Sequence, residues 1–354
     1  MDDYPRVKLA AVQAAPFFLD RDRTVEHAAA LIREAGRNGA RVIGFPENFI
    51  PGHPYWYQFY NAYDPICRRF NVRYFRNAVE VPGDATRVLG EAARDAGAWV
   101  VIGVAEKDPG TYGTIYNTQL FFAPDGSLAG KHRKLAMTNT ERLSQFQGDG
   151  STLYTVPTEY GRLGALICGE HFNSLARNAL LLEGEAIHVA SWPAFGIRKG
   201  REWDHTMDVR VQFTALEGGL FVISAASVWT EDMKDVLELD EAARALFKTS
   251  GGHSGIVGPD GTYIAGPLDD EPGILYADAD LSQVVAARVA YDMTGHYQRL
   301  DLFDLRVDRR ALGPRSADAA ERRGSSGPAG PAGPLAPPTP PVPADPSPVP
   351  SPRS

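Results

Sequence analysis

The chain has 354 residues, 44% of them hydrophobic, which is enough to bury one large core or two modest ones. A formal charge of -8 leaves no broad basic surface and argues against an electrostatic grip on nucleic acid or an anionic membrane. With no leader-type segment, no apolar run of membrane-spanning length and two cysteines, Cys67 and Cys168, composition points to a cytoplasmic globular protein without a disulfide framework. In chain order, residues 7–14 read as a strand, 24–38 as a helix, 41–45 as a strand, 84–96 as a helix and 99–105 as a strand. Residues 117–123 and 127–131 flank Pro124-Asp125-Gly126 and read as a hairpin. Strand 163–168, helix 174–183, strand 187–190, helix 202–217 and strand 221–225 follow, and a second hairpin joins 254–257 to 263–265 across Pro259-Asp260-Gly261. The pattern is α/β, with mixed sheets and helices outside.

Near Gly313 the composition changes to Gly-Pro-Ala and then Pro-Pro-Val-Pro stretches. Proline supplies no backbone donor, and few large apolar residues remain to offset chain entropy, so residues 314–354 are expected to be an extended, disordered tail following a catalytic domain of residues 1–313.

Three strand ends carry chemistry. Cys168 closes strand 163–168 just before a helix, where open α/β sheets bind ligands and a sharp turn can present N–H groups to an oxyanion. A lone cysteine after Leu166-Ile167 more often fills a core, but Gly169-Glu170-His171 is an unusual end for a buried strand. His171 can be read as a base for the thiol or as an ordinary surface histidine. Glu47 follows strand 41–45 and Pro46 directly, and fits either a general base or a solvated loop carboxylate. Lys134, ending the first hairpin, can set a fixed positive charge against a developing anion or face water.

The other conspicuous residues carry less. Eight histidines show no metal-ligand spacing and no glycine-rich phosphate loop opens a helix, so neither a metal nor another cofactor is expected. Gly252-His253-Ser254-Gly255-Ile256 lacks the last glycine of a serine nucleophile elbow and reads as a strand start. Cys67 is expected to be structural. Residues 231–245, acidic and helix-prone, read as an exposed insertion or an oligomer contact.

Several ordered motifs resemble the nitrilase superfamily, and its nitrile-hydrolysing branch in particular. They run through Phe45-Pro46-Glu47-Asn48-Phe49-Ile50-Pro51-Gly52-His53-Pro54-Tyr55-Trp56, His132-Arg133-Lys134-Leu135, Glu141-Arg142, Gly148-Asp149-Gly150-Ser151 and Gly164-Ala165-Leu166-Ile167-Cys168-Gly169-Glu170. Ala190-Ser191-Trp192-Pro193 and Gly295-His296-Tyr297-Gln298-Arg299 follow. The resemblance implies an α-β-β-α sandwich with Cys168 as nucleophile, Glu47 as base, Lys134 and the Gly169 N–H holding charge, and Glu141 positioning Lys134 or the substrate.

It further implies hydrolysis of a small organic nitrile with water to a carboxylic acid and ammonia, in a homo-oligomer built from dimers or spirals. Tyr55, Trp56, His171, Trp192 and Phe195 are the candidate substrate contacts, and the aromatic residues favour aromatic or arylaliphatic nitriles. The same triad in relatives also cleaves amides or cyanide, and an inactive homologue would be an oligomeric scaffold. Many relatives carry Trp after the nucleophile and Asn two residues further on, where this chain has Gly169 and His171. The proline usual shortly after the lysine is replaced by the Ala136-Met137-Thr138 stretch.

Overall fold

The computed structural model describes residues 4–195, 202–246 and 251–312; the tail at 314–354 lies outside the described residues. The chain begins with β1 (Arg6–Gln13) and α1 (Arg21–Arg37), whose N-cap Asp20 accepts from the Arg23 N–H at 3.1 Å. Next come β2 (Val42–Gly44), α2 (Pro65–Asn77), β3 (Val79–Glu80), α3 (Asp84–Ala96) and β4 (Trp99–Lys107). Gly97, at φ 58°, takes the left-handed turn that ends α3. β5 (Ile115–Phe122) and β6 (Leu128–Arg133) form the first hairpin. The second half holds β7 (Val156–Thr158), β8 (Gly161–Ile167), α4 (Ser174–Leu181), β9 (Glu185–Trp192), α5 (Glu202–Gly218) and β10 (Phe221–Ala226). It closes with α6 (Glu231–Val236), α7 (Glu241–Leu246), the hairpin of β11 (Ser254–Val257) and β12 (Tyr263–Leu268), then β13 (Gly273–Asp280) and α8 (Ser282–Ala290).

Two mixed sheets result. The first runs β13-β1-β2-β4-β5-β6, with β3 beside β4; the second runs β12-β11-β10-β9-β8-β7. In each, parallel central strands are flanked by antiparallel ones: β1 is parallel to β2 and antiparallel to β13, and β9 is parallel to both β8 and β10.

Side-chain alternation along β1 assigns the layers. Ala10 and Val12 pack with Val25, Ala28, Ile32 of α1 and Leu89, Ala92, Ala93 of α3. Leu9 and Ala11 face the other way, joining Val42, Val101 and Phe121 against Ala165, Ile187, Val189 and Ile223 of the second sheet. Beyond that sheet, Ile167, Ala190 and Val222 meet Met207, Val211 and Ala215 of α5. The order is helices, sheet, sheet, helices, the sandwich expected from the motifs. Each fully buried aliphatic side chain here contributes about 1.5–3 kcal/mol over its exposed state. Among the described residues no helix is long and apolar enough to cross a membrane.

One expectation needs correction. Residues 231–245 are not simply an exposed insertion: Met233, Leu237 and Leu239 are buried with Tyr55, Trp56, Phe70 and Trp229, while Glu231, Asp232 and Asp235 stay at or near solvent. The same cluster holds Cys67, whose thiol donates to the Asn61 carbonyl at 3.3 Å and is pushed up by burial, an environment for packing and not for reactivity.

Candidate active site

Residues from both sheets converge at the carboxyl ends of β2 and β8. Pro46 ends β2, and the backbone beyond it crosses β4 so closely that a Cβ on Gly103 would overlap the Pro46 carbonyl oxygen. The Glu47 N–H then donates across the sandwich to the Trp192 carbonyl at 3.2 Å, tying the first sheet's carboxylate to the second sheet's strand end. Lys134 follows β6 directly. Its N–H donates to the Asn117 carbonyl at 2.8 Å, which turns the side chain inward where a cation at a strand end would ordinarily meet water.

The ammonium of Lys134, fully buried, donates to Glu47 Oε1 at 2.8 Å and to Glu141 at 2.9 and 2.7 Å. Asn117 Nδ2 donates to the same Glu47 oxygen at 2.6 Å, whereas Glu47 Oε2 is buried with no hydrogen-bond partner. One carboxylate oxygen is therefore held and the other is left to accept a proton. Burial raises the Glu47 carboxyl and Lys134 opposes it; with Glu141 adding to the rise, its pKa lies at about 7. Burial lowers Lys134, but the two carboxylates outweigh this and hold it well above its ordinary value. Glu47, His53 and Glu141 bring potential ligand atoms within 4.8 Å of one another, and the Lys134 ammonium already supplies the positive charge between the two carboxylates.

Cys168 follows β8 as the first residue of a 3₁₀ turn spanning Cys168–Phe172, at φ 49°. A non-glycine residue in this left-handed region costs on the order of 1–2 kcal/mol. The turn is clamped by Glu170, which accepts from the Ile167 N–H at 2.8 Å, the Leu135 N–H at 2.7 Å and His132 Nε2 at 2.9 Å. Gly169, second in the turn, lines the cleft and has no carbonyl a turn earlier within the helix for its N–H to bond. Burial and Glu47 push the thiol well above its usual range, against the pull of Lys134. The thiol and the Glu47 carboxyl lie within electrostatic reach of each other.

Residues 8–289 match the carbon-nitrogen hydrolase family. The chain belongs to that family. It is 38% identical over 316 residues to a nitrilase of Bacillus sp. (strain OxB-1), covering 89% of this chain and 91% of that one. It is 42% identical over 312 residues to an aliphatic nitrilase of Sinorhizobium fredii (strain HH103), covering 86% and 96%. The crystal structure of a carbon-nitrogen hydrolase from Helicobacter pylori G27 superposes with a TM-score of 0.67 at 22% identity, over 84% of this chain and 97% of that one, a likeness of fold.

A cleft of about 620 Å³ leads to Cys168 in this carbon-nitrogen hydrolase. Of the sequence candidates for its walls, Tyr55 and Phe195 line it, as do Gly169 and Glu141. Trp56, Trp192 and His171 do not. Trp56 is enclosed by Phe70 and Tyr74 with its indole N–H on Asn71 at 3.1 Å, and Trp192 donates to Ser224 at 3.0 Å. His171 is buried behind the nucleophile: Nδ1 meets the Cys168 carbonyl at 2.8 Å, Nε2 meets His188 Nε2 at 3.0 Å, and His188 Nδ1 meets Glu185 at 2.7 Å. Its ring stacks on Trp192, so it braces the turn from the back and is turned away from a base's position.

Sequence reasoning missed three cleft residues. His53 stands 3.9 Å from Glu47 Oε1 and 3.8 Å from Glu141 Oε1, and burial lowers it to about 4, so it is a neutral ring at neutral pH. Only its place six residues after Glu47 marked it. Trp203 stacks on Phe195 at 4.6 Å, and Arg210 enters from α5; both lie in a helix read for its apolar period alone.

Removing the Glu170 clamp tests its part in shaping the turn. Burial raises Glu170, but His132 and the two N–H donors outweigh that and hold it below its ordinary value. A depressed carboxylate stabilises the fold above its unfolded pKa and loses that stabilisation as pH falls through the folded value. Glu170→Ala is expected to lose about 3 kcal/mol in urea denaturation at pH 7, with the gap to wild type closing once pH falls below 4.5. A gap independent of pH would mean that the carboxylate's charge is not what holds the turn.

Proposed function

We propose that this protein is a nitrilase that hydrolyses a small organic nitrile to a carboxylic acid and ammonia. The observation that carries this reading is the buried Glu47–Lys134–Glu141 cluster, with one Glu47 oxygen unpartnered, within electrostatic reach of Cys168, which sits on a left-handed turn and lines the same cleft as Glu141. Nitrilases among the relatives, alignable along almost their whole length, support the nitrile as substrate.

In this mechanism Glu47 Oε2 takes the thiol proton as Cys168 Sγ attacks the nitrile carbon, then passes it to the nitrile nitrogen, which gives a thioimidate and restores the Glu47 carboxylate. Water, deprotonated by Glu47, adds to that carbon. Glu47 returns the proton it took from water to the nitrogen, and collapse of the tetrahedral species breaks the C–N bond, expels ammonia and leaves a thioester. A second water breaks the C–S bond and releases the acid, so two waters are consumed per nitrile. Lys134 and the Gly169 N–H stabilise charge at the former nitrile centre, and Glu141 positions Lys134. If the tetrahedral species expels sulfur in place of ammonia, the product is the amide.

Tyr55, Phe172, Phe195 and Trp203 at the cleft support aromatic or arylaliphatic nitriles as substrates. In the same reading the enzyme works in the cytoplasm, consistent with two unpaired cysteines, and copies associate through the outer face of α5, where Val209, Phe213 and Leu216 are exposed. Light scattering that finds a monomer at micromolar concentration would rule out that association. A panel of aryl, arylaliphatic and aliphatic nitriles, with acid, amide and ammonia all measured, tests the activity. Equal acid and ammonia support it. Turnover of amides alone would make the protein an amidase, and none of either would make it a scaffold.

The base also sets a pH profile. A carboxylate with its pKa at about 7 is active only when ionised, so kcat/KM should fall tenfold per unit below pH 7. Asn117 donates to the ionised form, and Asn117→Ala should shift this limb to higher pH. An unshifted limb would assign it to another group.

A further inference from the structure

The buried face of α5 reads Asp204, Met207, Arg210, Val211, Thr214, Ala215 and Gly218, with Asp204 standing 3.9 Å from His253 and Arg210 as its one cation. It is 8% exposed and lies on the cleft wall. Its Nε is buried with no hydrogen-bond partner, and among the described residues no carboxylate reaches ion-pairing distance of the guanidinium. Burying a cation without a counter-charge costs several kcal/mol, so such a group is ordinarily paired.

What Arg210 does contact fixes its direction. The guanidinium carbon lies 3.5 Å from the centroid of the Phe172 ring and 5.7 Å from that of Trp192. Aromatic contact engages the face of a guanidinium, while its donors lie in the plane and remain free at the edge. No carboxylate of the cleft is available to fill that edge. Glu141 is taken by Lys134, and Glu170 by His132 and two backbone N–H groups. The other cleft cation, Arg142, is mostly exposed and donates to the Met137 carbonyl at 3.0 Å. Nor is Arg210 required at the reacting carbon, where Lys134 already supplies the cation. With no carboxylate at that edge among the described residues, an anion carried by the ligand would complete Arg210.

We infer that Arg210 is a specificity residue that binds a carboxylate of the substrate, so that the preferred nitriles are cyano-carboxylates with the carboxylate remote from the cyano group. Two-point binding then sets the nitrile carbon at Cys168 and the carboxylate at Arg210 in a planar, bidentate-capable contact. Water converts such a substrate into a dicarboxylate and ammonium, with two waters consumed. This assignment rests on the nitrile-hydrolysing reading above and narrows its substrate.

The test pairs each cyano-carboxylate with a neutral partner of the same shape, in which isopropyl replaces the carboxylate. Straight-chain ω-cyano acids of increasing length and 4-(cyanomethyl)benzoate against 4-isopropylphenylacetonitrile serve as the probes. For the wild-type enzyme, kcat/KM for the charged member of the best pair should exceed that for the neutral member by on the order of tenfold to a hundredfold, mainly through KM. Arg210→Met should collapse that ratio, and Arg210→Lys, which keeps a point charge, should recover part of it. A wild-type enzyme that hydrolyses the neutral nitriles but prefers the charged one in no pair overturns the role of Arg210 and leaves the nitrilase reading standing. A ratio unaltered by Arg210→Met overturns it as well. Failure to turn over any nitrile, charged or neutral, removes the underlying reading instead.

Discussion

Cys168→Ala is expected to lower nitrile turnover by at least about 10⁴-fold, because no neighbouring side chain can supply the covalent bond that divides the reaction into two easier halves. The folded protein should survive the change. Alanine at φ 49° pays the same left-handed strain as cysteine, so the unfolding midpoint should move little. Glycine adopts that conformation freely, and Cys168→Gly should be about 1 kcal/mol more stable than Cys168→Ala. Full turnover in the alanine variant would sink the mechanism. Equal stability of the two variants would mean that the turn stores no strain.

Lys134→Met is expected to damage both activity and folding. With the ammonium gone, Glu47 and Glu141 remain buried without their shared cation, a loss of about 3–5 kcal/mol at neutral pH. The sign of its pH dependence follows from linkage. Both carboxyls then bind protons more tightly folded than unfolded, which favours the folded variant in acid, so its deficit should shrink from pH 8 to pH 5. Turnover should fall about 10³-fold or more, since a fixed positive charge at the developing anion is lost. Urea titrations at the two pH values, with circular dichroism as readout, decide the first point. A deficit that is the same at both would mean that the lysine's packing, and not its charge, is what matters.

How much of this was legible in the sequence depends on whether the signal was local. The helix at 84–96 matches α3 residue for residue, because Leu89, Ala92, Ala93 and Ala96 follow the helical period up to a terminating Gly97. Both Pro-Asp-Gly hairpins form where turn chemistry predicts them. α2 escaped, although Asp64 caps it and Pro65 opens it, because Cys67, Phe70 and Tyr74 are diluted by Arg68, Arg69 and Arg73. β13 escaped for another reason: its eight residue pairs with β1 join the two ends of the domain, and Asp278 and Asp280 break up its apolar run.

The site divides the same way. Glu47, Lys134 and Cys168 each stand at a strand end, which is a local feature, and their ordered motifs are familiar. What surrounds them is decided by rotamers and by neighbours distant in sequence. Nothing local separates Tyr55, on the cleft, from Trp56, sealed behind it, since adjacent residues of a short 3₁₀ turn point to different sides. His171 offered a titratable ring next to a thiol, and only the position of His188 turns it backward.

The His171–His188–Glu185 chain also acts as a tether, its three contacts running without a break from the Cys168 carbonyl to the Glu185 carboxyl. Burial and the neighbouring His188 lower His171, so its ring is held by geometry and not by charge. The peptide that carries the nucleophile is thus tethered through two rings to the neighbouring strand β9, and the posture of Cys168 depends on side chains that never enter the reaction.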